Sequence, residues 1–147
     1  FESNYKVNPL LRTCADVEAL KAGIEDGTID AIVSQHTPQE IEYKEVEFEI
    51  AAYGIIGLQT ALPLLLQAGL SVERIVEKMA VKPRELLGLE IPKIAEGETA
   101  NLVLFDESEW EYTMKNNFSK SRNSPFLGQQ LRGKVWLTIA RGQRSDS

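Results

Sequence analysis

The order of apolar and polar positions in the first third of the chain predicts one helix followed by one strand. Apolar residues recur at helical spacing across residues 13–26, and Thr13 and Asp16 stand in the order of a capping box. Gly27 supplies a stop for this helix. The short apolar run of residues 30–33 that follows is typical of a buried parallel strand. The pattern therefore predicts half of a βαβ repeat.

Further along the chain, the hydrophobic pattern predicts a run of helices without a strand. Residues 58–68 are apolar nearly all round, which is typical of a helix buried on most sides. Ser71 is a suitable N-cap for a second helix, and a proline begins a third over residues 83–87. The acidic segment of residues 39–49 lies before these helices. Its composition predicts a solvated loop, and the alternation within residues 45–50 also allows a short edge strand.

The pattern changes beyond residue 91, where β-branched and aromatic residues replace the helical spacing. Residues 101–106, 110–113 and 131–140 each predict a strand, and residues 115–128 predict a loop. Two or three strands rarely form a stable sheet alone. We therefore expect a small β module whose remaining strands come from other sequence.

Charge indicates a boundary near residue 90 and argues against one class of function. The net charge of the chain is −6, with residues 1–90 at −7 and residues 91–147 at +1. Binding to nucleic acid would require a basic stripe, which this balance does not favour. The single cysteine, Cys14, forms no disulfide within the chain, so we expect a reducing, cytoplasmic compartment. The longest apolar stretch is too short to span a bilayer, so we expect no membrane partner.

A polar cluster at residues 34–39 marks the candidate site. It follows the predicted strand directly, and in parallel α/β proteins the chemistry lies at the carboxyl ends of strands. The single histidine, His36, lies in this cluster between carboxamide and hydroxyl side chains. A functional histidine and a loop histidine that is hydrogen-bonded to nearby backbone are both open at this point, and we favour the second.

Five stretches carry a resemblance to a known family. They are Lys-Val-Asn-Pro-Leu-Leu-Arg-Thr (6–13), Asp-Gly-Thr-Ile-Asp-Ala-Ile (26–32), Tyr-Gly-Ile-Ile-Gly-Leu-Gln-Thr-Ala-Leu-Pro (53–63), Leu-Val-Leu-Phe-Asp (102–106) and Ser-Lys-Ser-Arg-Asn-Ser-Pro-Phe-Leu-Gly (119–128). In this order they resemble the C-terminal portion of dihydroorotases, which are cyclic amidohydrolases of the amidohydrolase superfamily. The resemblance implies an α/β fold, the C-terminal part of a metal-dependent (β/α)8 TIM barrel plus the C-terminal share of a small β-sandwich. Residues 1–90 would then supply the last barrel strand and its helices, and residues 91–147 the sandwich segment.

The same resemblance points to a degenerate catalytic motif. In the family the last barrel strand ends in a motif like Thr-Asp-His-Ala-Pro-His, whose Asp binds metal and relays a proton and whose final His helps to hold the substrate carboxylate. Residues 34–39 of this chain are Ser-Gln-His-Thr-Pro-Gln. Gln35 therefore stands at the catalytic Asp position and Gln39 at the substrate-binding His position. A carboxamide neither relays a proton at neutral pH nor offers a metal an anionic oxygen.

Other family positions are retained, but no metal site is complete within the chain. The resemblance implies substrate contacts from Asn8, from the position of Gln39 and from the backbone of Gly54, whereas Gln59 stands where Glu is usual. One histidine and scattered acids cannot form a metal site. We therefore expect no cofactor held by this chain alone, and the resemblance implies zinc in the full-length protein.

Three functions from different classes follow. The first is a catalytically impaired dihydroorotase-like protein of pyrimidine biosynthesis that acts as a structural or regulatory partner, as do family members that assist aspartate transcarbamoylase. The second is a working amidohydrolase that acts on a cyclic amide such as dihydroorotate with zinc and an altered ligand set. The third is a binding or storage domain without a pathway partner. We favour the first, and the residues upstream of this sequence decide whether the protein is an enzyme.

We also expect the chain to depend on partners for its order. One barrel strand with its helices cannot close a barrel, and the apolar helix at residues 58–68 would expose a large apolar surface. The expected partners are the N-terminal half of the barrel and further subunits in a homo- or hetero-oligomer.

Overall fold

The structure is a computed structural model that describes residues 2–146, with side chains described up to residue 145. Among these residues, four α-helices, one π-helical turn and two 3₁₀ turns precede a three-stranded sheet. In chain order the elements are the 3₁₀ turn Ser3–Tyr5, α1 (Cys14–Asp26), the 3₁₀ turn Ile41–Tyr43, α2 (Ala61–Gln67), α3 (Val72–Val76), the π-helical turn Glu77–Val81, α4 (Lys82–Leu86), β1 (Leu102–Glu111), β2 (Gln130–Ala140) and β3 (Gln143–Asp146).

Helix α1 confirms the predicted capping box. Thr13 Oγ1 accepts a hydrogen bond from the Asp16 N–H (3.3 Å), and the Asp16 carboxylate accepts one from the Thr13 N–H (3.0 Å). Gly27 ends the helix with a φ of 86°, a left-handed conformation that glycine adopts without strain. The sequence rules for helix ends therefore hold here, because every group that they involve lies within one turn.

The predicted strand at residues 30–33 is wrong. No strand forms there, and Val33 is 78% exposed. The Ile32 N–H donates to Lys78 O (2.9 Å), and one parallel bridge follows, between His36 and Ile55. A parallel strand requires a continuous ladder on a neighbour, and the described residues offer this segment only that isolated bridge.

The helical run was predicted in outline, but its boundaries differ. Helix α2 begins at Ala61, three residues later than expected, and the Gly57 and Leu58 N–H groups before it bond to the His36 ring. It packs on β2 along one side, and Pro63 is its buried residue, so the predicted burial on most sides is not found among residues 2–146. Ser71 is the predicted N-cap, since its hydroxyl accepts from the Arg74 N–H (3.2 Å).

The second and third predicted helices are continuous instead of separate. The π-helical turn Glu77–Val81 joins α3 to α4 directly before Pro83. Proline has no N–H to donate to the preceding turn, so a helix that passes through it loses a hydrogen bond. A local change of helix type at this point accommodates that loss.

The acidic segment is a loop, as its composition predicts, and the alternative edge strand at residues 45–50 is wrong. The 3₁₀ turn Ile41–Tyr43 is followed by further turns, and the Ile50 and Ala51 N–H groups both bond to Glu47 O. Turn hydrogen bonds of this kind take the donors that a strand would need for pairing.

The C-terminal part is an antiparallel sheet in the order β1–β2–β3. The strands predicted at residues 101–106 and 110–113 are one strand, because pairing with β2 continues across two register irregularities. Arg141 and Gly142, with φ angles of 51° and 76°, form the two-residue turn that leads into β3. Positive φ at both positions suits the twist of a tight hairpin.

The helices and the sheet meet where α2 lies against β2. Gly133 has a φ of 106°, which favours glycine, and a Cβ atom there would lie 2.6 Å from Leu66 Cδ1, so the Leu66 side chain would have to shift. Trp110 Nε1 donates to Gly133 O (3.1 Å), and its ring lies edge-on to the buried Tyr112 at 5.8 Å. The helix α2 that lines the candidate site is thereby packed on the sheet.

Candidate functional site

A cavity of about 440 Å³ lies beside the polar motif that the sequence singled out. Its walls come from residues 7–11, 32–37 and 53–57, and from α2. Small-molecule sites commonly enclose about 300–1,000 Å³ and are lined mainly by apolar groups with a few polar ones. The polar residues of this lining are Asn8, Ser34, Gln35, Thr37, Tyr53 and Thr60.

Gln35, at the position of the family's catalytic Asp, lies in this lining and is held in place by Asn8. Its side-chain Nε2 donates to the Asn8 backbone carbonyl at 2.6 Å. Its backbone φ is 45°, a left-handed value that is uncommon for a residue with a side chain and that concentrates at functional sites. Two of the predicted site residues are therefore brought together.

Gln39 also lies nearby, but it is directed towards the turn at Tyr53. Its Nε2 donates to Tyr53 O (3.0 Å), and its backbone N–H donates to Asn123 Oδ1 (3.1 Å). It is not one of the residues that line the cavity. The predicted substrate contact by Gln39 stays a prediction, and this geometry would require its side chain to turn.

Gly54 lines the cavity, and its backbone conformation and close contacts favour glycine over a residue with a side chain. Its φ is 128°, and a Cβ atom there would lie 2.7 Å from the Thr37 side chain. Its N–H donates to Lys6 O (3.0 Å), and its carbonyl accepts from Lys44 Nζ (3.2 Å) and Asn123 Nδ2 (3.1 Å). Both backbone polar groups of Gly54 are thus held by protein, which fixes the shape of the cavity wall.

His36 is hydrogen-bonded to backbone, as expected of a loop histidine. Its Nδ1 accepts from the Gly57 N–H (3.1 Å) and the Leu58 N–H (3.4 Å). An accepting Nδ1 carries no proton, so the neutral ring carries its hydrogen on Nε2. The histidine thereby connects the motif to the turn that starts α2.

Asn123 is a site-forming residue that sequence reasoning missed. It is 2% exposed, and its side chain makes three hydrogen bonds, which reach Thr37 O (2.9 Å), Gly54 O (3.1 Å) and the Gln39 N–H (3.1 Å). It belongs to the stretch of residues 119–128 that resembled the family, but nothing in the sequence indicated its partners. It joins three separate segments at the back of the motif.

Gln59 ties the same loop to the start of α2. Its Nε2 donates to Asn116 O (2.6 Å), and its Oε1 accepts from the Phe118 N–H (3.1 Å). A glutamate, usual at this family position, has no hydrogen to donate to Asn116 O. Glutamine at position 59 therefore makes a hydrogen bond that glutamate could not make.

Two buried lysines hydrogen-bond to the backbone around the turn at Gly54, and neither lines the cavity. Lys6 Nζ donates to Phe48 O and Glu49 O, both at 2.8 Å, and lies 4.8 Å from the centre of the Tyr53 ring. Lys44, which is 3% exposed, donates to Ala52 O (2.8 Å) as well as to Gly54 O. The sequence gave no signal for this role, because a lysine in an acidic loop is usually solvated.

Lys44 makes the stability of the fold depend on pH in a definite direction. Burial lowers the pKa of Lys44 below its ordinary value of 10.5, and the positive charge of Lys6 lowers it further. Between the lowered pKa and pH 10.5, the unfolded chain binds more protons at this residue than the folded chain does. The free energy of unfolding contributed by Lys44 therefore rises with pH in that window.

We expect this dependence to disappear in a Lys44→Met variant of the natural full-length protein. The free energy of unfolding of the natural protein, measured by urea denaturation, should rise relative to that of the variant as the pH approaches 10.5. Burial raises the pKa of Tyr112, which acts in the opposite direction above pH 10 but is present in both proteins. Exposed Lys93, changed to Met, controls for the loss of a charge, and a difference that stays flat or shrinks would contradict the assignment.

The donor set in this region does not suit a metal ion by itself. Within residues 2–146, no three His, Cys, Asp or Glu side chains come close enough together to hold a metal. Gln35 offers a neutral oxygen, and the Nδ1 of His36 is already engaged by two backbone N–H groups. The expectation that this chain alone holds no cofactor stays a prediction.

The part of the chain that the structure describes contains no helix long and apolar enough to cross a membrane.

Comparison with known proteins decides the family. No family model matches the chain. It is 44% identical over 148 residues to the dihydroorotase of Geotalea daltonii and 45% identical over 148 residues to that of Ruminiclostridium cellulolyticum. Each alignment covers 97% of this chain and 35% of the relative. The chain is homologous to the C-terminal portion of dihydroorotases. The resemblance that its five stretches predicted is confirmed.

The chain spans about a third of the length of these relatives, and its match is to their C-terminal portion. Its fold is similar to the L-hydantoinase (dihydropyrimidinase) of Arthrobacter aurescens, with a TM-score of 0.84 and 28% identity over 99% of this chain and 38% of that one. The D-hydantoinase of a Thermus species gives a TM-score of 0.83 at 24% identity, over 98% of this chain and 34% of that one. The mixed helix-and-sheet fold is thus that of a C-terminal part of an amidohydrolase. The roles of Asn8, Gln35, Gln39 and Gly54 stay predictions.

Proposed function

We propose that residues 1–90 form the flanking helices and the last strand of a (β/α)8 barrel, a strand that would gain its ladder only from neighbouring strands outside residues 2–146, and that residues 91–147 form the C-terminal share of a small β-sandwich. The parallel bridge between His36 and Ile55 and the antiparallel sheet β1–β3 support this division. The remaining barrel strands would come from an N-terminal half. Exposed apolar side chains such as Leu11 (64%) and Val33 (78%) are available to contact it.

The protein that carries this chain would be a dihydroorotase-like protein of pyrimidine biosynthesis with impaired catalysis. The observation that carries this proposal is the 2.6 Å hydrogen bond from Gln35 Nε2 to Asn8 O. An aspartate carboxylate has no hydrogen to donate to a carbonyl, so this contact requires the carboxamide. The local structure is therefore adapted to glutamine. A catalytic carboxylate that relays a proton normally contributes about 10²–10⁴-fold to the rate.

Zinc, which the family implies, would find few ligands in this part of the protein. Gln35 supplies neither a negative charge nor a base, and zinc sites are built from Cys, His, Asp and Glu. A zinc ion in the full-length protein would therefore depend on ligands outside residues 2–146.

With impaired catalysis, the protein would act as a structural or regulatory subunit in a homo- or hetero-oligomer, and aspartate transcarbamoylase is the proposed partner.

One observation favours the alternative of a working amidohydrolase on a cyclic amide. The 440 Å³ cavity keeps a polar lining, including Asn8 and Thr37, and the structural relatives are named hydantoinases.

A dihydroorotate hydrolysis assay on the natural full-length protein, purified with zinc present, tests the proposal. We expect turnover at least about 10²-fold below that of an ordinary family enzyme, because the proton-relaying carboxylate is absent. Gln35→Asp and Gln35→Asp with Gln39→His measure how much of the loss lies at these positions. Gln67→Asp, which changes an exposed glutamine of α2, is the matched control.

An ordinary turnover number, of the order of 10 s⁻¹, would refute impaired catalysis and favour the amidohydrolase alternative. If turnover is absent, co-elution with aspartate transcarbamoylase on size exclusion is expected. Failure to co-elute would remove the proposed partner and leave the binding-domain function.

A further inference from the structure

A second cavity, of about 640 Å³, shares no lining residue with the cavity of the candidate site among the residues that the structure describes. The parallel bridge between His36 and Ile55 lies between the two cavities. His36 lines the second cavity, whereas its neighbours Gln35 and Thr37 line the first. Along residues 55–58, successive residues line the first and the second cavity in turn. The bridged segments therefore separate two distinct cavities.

Aromatic rings form one wall of the second cavity. The rings of Trp110 and Tyr112 are edge-on with their centres 5.8 Å apart, and Phe118, which is 71% exposed, lines the cavity with them. Trp110 Nε1 donates to Gly133 O at 3.1 Å. The Tyr112 hydroxyl donates to Asn117 Oδ1 at 3.0 Å. Since both polar groups are already paired, this wall offers a ligand ring surface, which favours another aromatic ring.

The carboxamides that line the second cavity are engaged within the protein. Gln59 and Asn116 each bond to two backbone groups, one through the oxygen and one through the nitrogen of the side chain. Asn117 accepts from the Tyr112 hydroxyl and from a backbone N–H, and its Nδ2 donates to a backbone carbonyl. These side chains therefore hold the loop at residues 116–119 in place and are not free to bind a ligand.

His36 keeps a hydrogen-bond donor free in this lining. Its Nδ1 accepts from the Gly57 and Leu58 N–H groups, which leaves the ring hydrogen on Nε2. Within residues 2–145, no acceptor is bonded to that N–H. The charged lining residues are Glu111 and Lys134, and their opposite charges favour a ligand without net charge.

We infer that the second cavity is a binding site for an uncharged heteroaromatic ring, which packs against Trp110 and accepts a hydrogen bond from His36 Nε2. A flat ring that carries an acceptor nitrogen or carbonyl complements both the aromatic wall and the free donor. The volume of 640 Å³ lies within the range of about 300–1,000 Å³ that small-molecule sites enclose. This site is separate from the candidate site, so the inference does not rest on the proposed function.

Quinoline and indole are suitable probes of this site. Both consist of two fused rings and are uncharged at neutral pH, but only quinoline has a ring nitrogen that accepts a hydrogen bond. Titration of the natural full-length protein, followed by ¹⁵N NMR at the Trp110 Nε1–H, should show saturable binding of quinoline.

His36→Asn tests the hydrogen bond without removing the support for the turn at Gly57. The side-chain oxygen of asparagine can replace Nδ1 as the acceptor for the Gly57 N–H, but the shorter side chain places no donor where Nε2 stood. Quinoline should therefore bind about 2–10-fold more weakly to the variant. Indole, which has no acceptor nitrogen, should change by less than about twofold.

Val135→Phe tests the location, because Val135 lines the second cavity and a larger ring there fills it. We expect this variant to lose quinoline binding. Val76→Phe is the matched control, since Val76 is 48% exposed and lines neither cavity. It should bind quinoline as the natural protein does, and circular dichroism should show that all three variants remain folded.

Three results would overturn the inference. If quinoline does not bind to the natural protein, the rest of the full-length chain fills the cavity or the cavity takes no such ring. Equal effects of His36→Asn on both probes would remove the hydrogen bond from His36. Unchanged quinoline binding in Val135→Phe would place the ligand elsewhere on the protein.

Discussion

Replacement of Asn123 by Ala should lower the free energy of unfolding of the natural full-length protein by about 3–5 kcal/mol. The variant loses three hydrogen bonds at once and leaves the Gln39 N–H and Thr37 O without a partner inside the protein. Gly54 O keeps Lys44 as a donor, so its loss is smaller. Each buried group left unpaired costs about 1–3 kcal/mol, and urea denaturation measures the total.

Two further variants separate hydrogen bonding from simple truncation. Asn101→Ala removes an exposed asparagine that also bonds to backbone, and we expect a loss below about 1 kcal/mol because water replaces the lost partners. Asn123→Asp keeps the size and the acceptor but lacks both donors, and at neutral pH it places a carboxylate against two carbonyls. Its stability should recover in part as the pH falls and the carboxyl gains a proton to donate. A small loss for Asn123→Ala, or no recovery in acid, would contradict the role assigned to this residue.

Features that depend on neighbours in sequence could be predicted from the chain. The capping box of Thr13 and Asp16, the N-cap at Ser71 and the glycine stop at residue 27 all rest on contacts within four residues. The sheet strands β1 and β2 were found for a similar reason, since β-branched and aromatic residues report a pleated surface directly.

Features that depend on distant partners could not be predicted. The run at residues 30–33 has the composition of a strand, but a strand exists only through its neighbours, and one bridge among the described residues does not make a ladder. Strand β3 is the reverse case. Its sequence Gln-Arg-Ser-Asp is polar throughout and does not predict a strand, but the Arg141–Gly142 turn leads it into pairing with β2.

The candidate site likewise combines features that the sequence predicted with features that depend on distant residues. The motif at residues 34–39 was located from sequence, and so was the exchange of carboxylate for carboxamide at Gln35. The residues that hold the motif in place are far from their partners in sequence. Asn123 bonds to residues 69 to 86 positions away, and Lys6 bonds to residues 42 and 43 positions away. No periodicity or local rule connects positions at such separations, and a buried lysine resembles a solvated one until its surroundings are known.

Gly54→Ala is expected to be as damaging as the loss of Asn123, for a different reason. A φ of 128° is strained for any residue with a side chain, and the new Cβ would lie 2.7 Å from Thr37 Cβ and Cγ2 and 3.0 Å from Thr37 O. Backbone strain costs about 1–3 kcal/mol, and overpacking adds about 1–3 kcal/mol. We therefore expect the free energy of unfolding of the natural full-length protein to fall by about 2–6 kcal/mol.

Gly97→Ala is the matched control for this change. Its φ of 86° is also left-handed, but no atom lies within 4 Å of a Cβ placed there. It should therefore cost only the conformational part, about 1 kcal/mol, and the difference between the two variants measures the contact with Thr37. Equal losses would mean that Thr37 moves aside freely, in which case the wall between Gly54 and the motif is not rigid and cannot hold Gln35 and Gln39 in fixed positions. A large difference means that Thr37 cannot move aside, so that the wall between Gly54 and the motif keeps its shape.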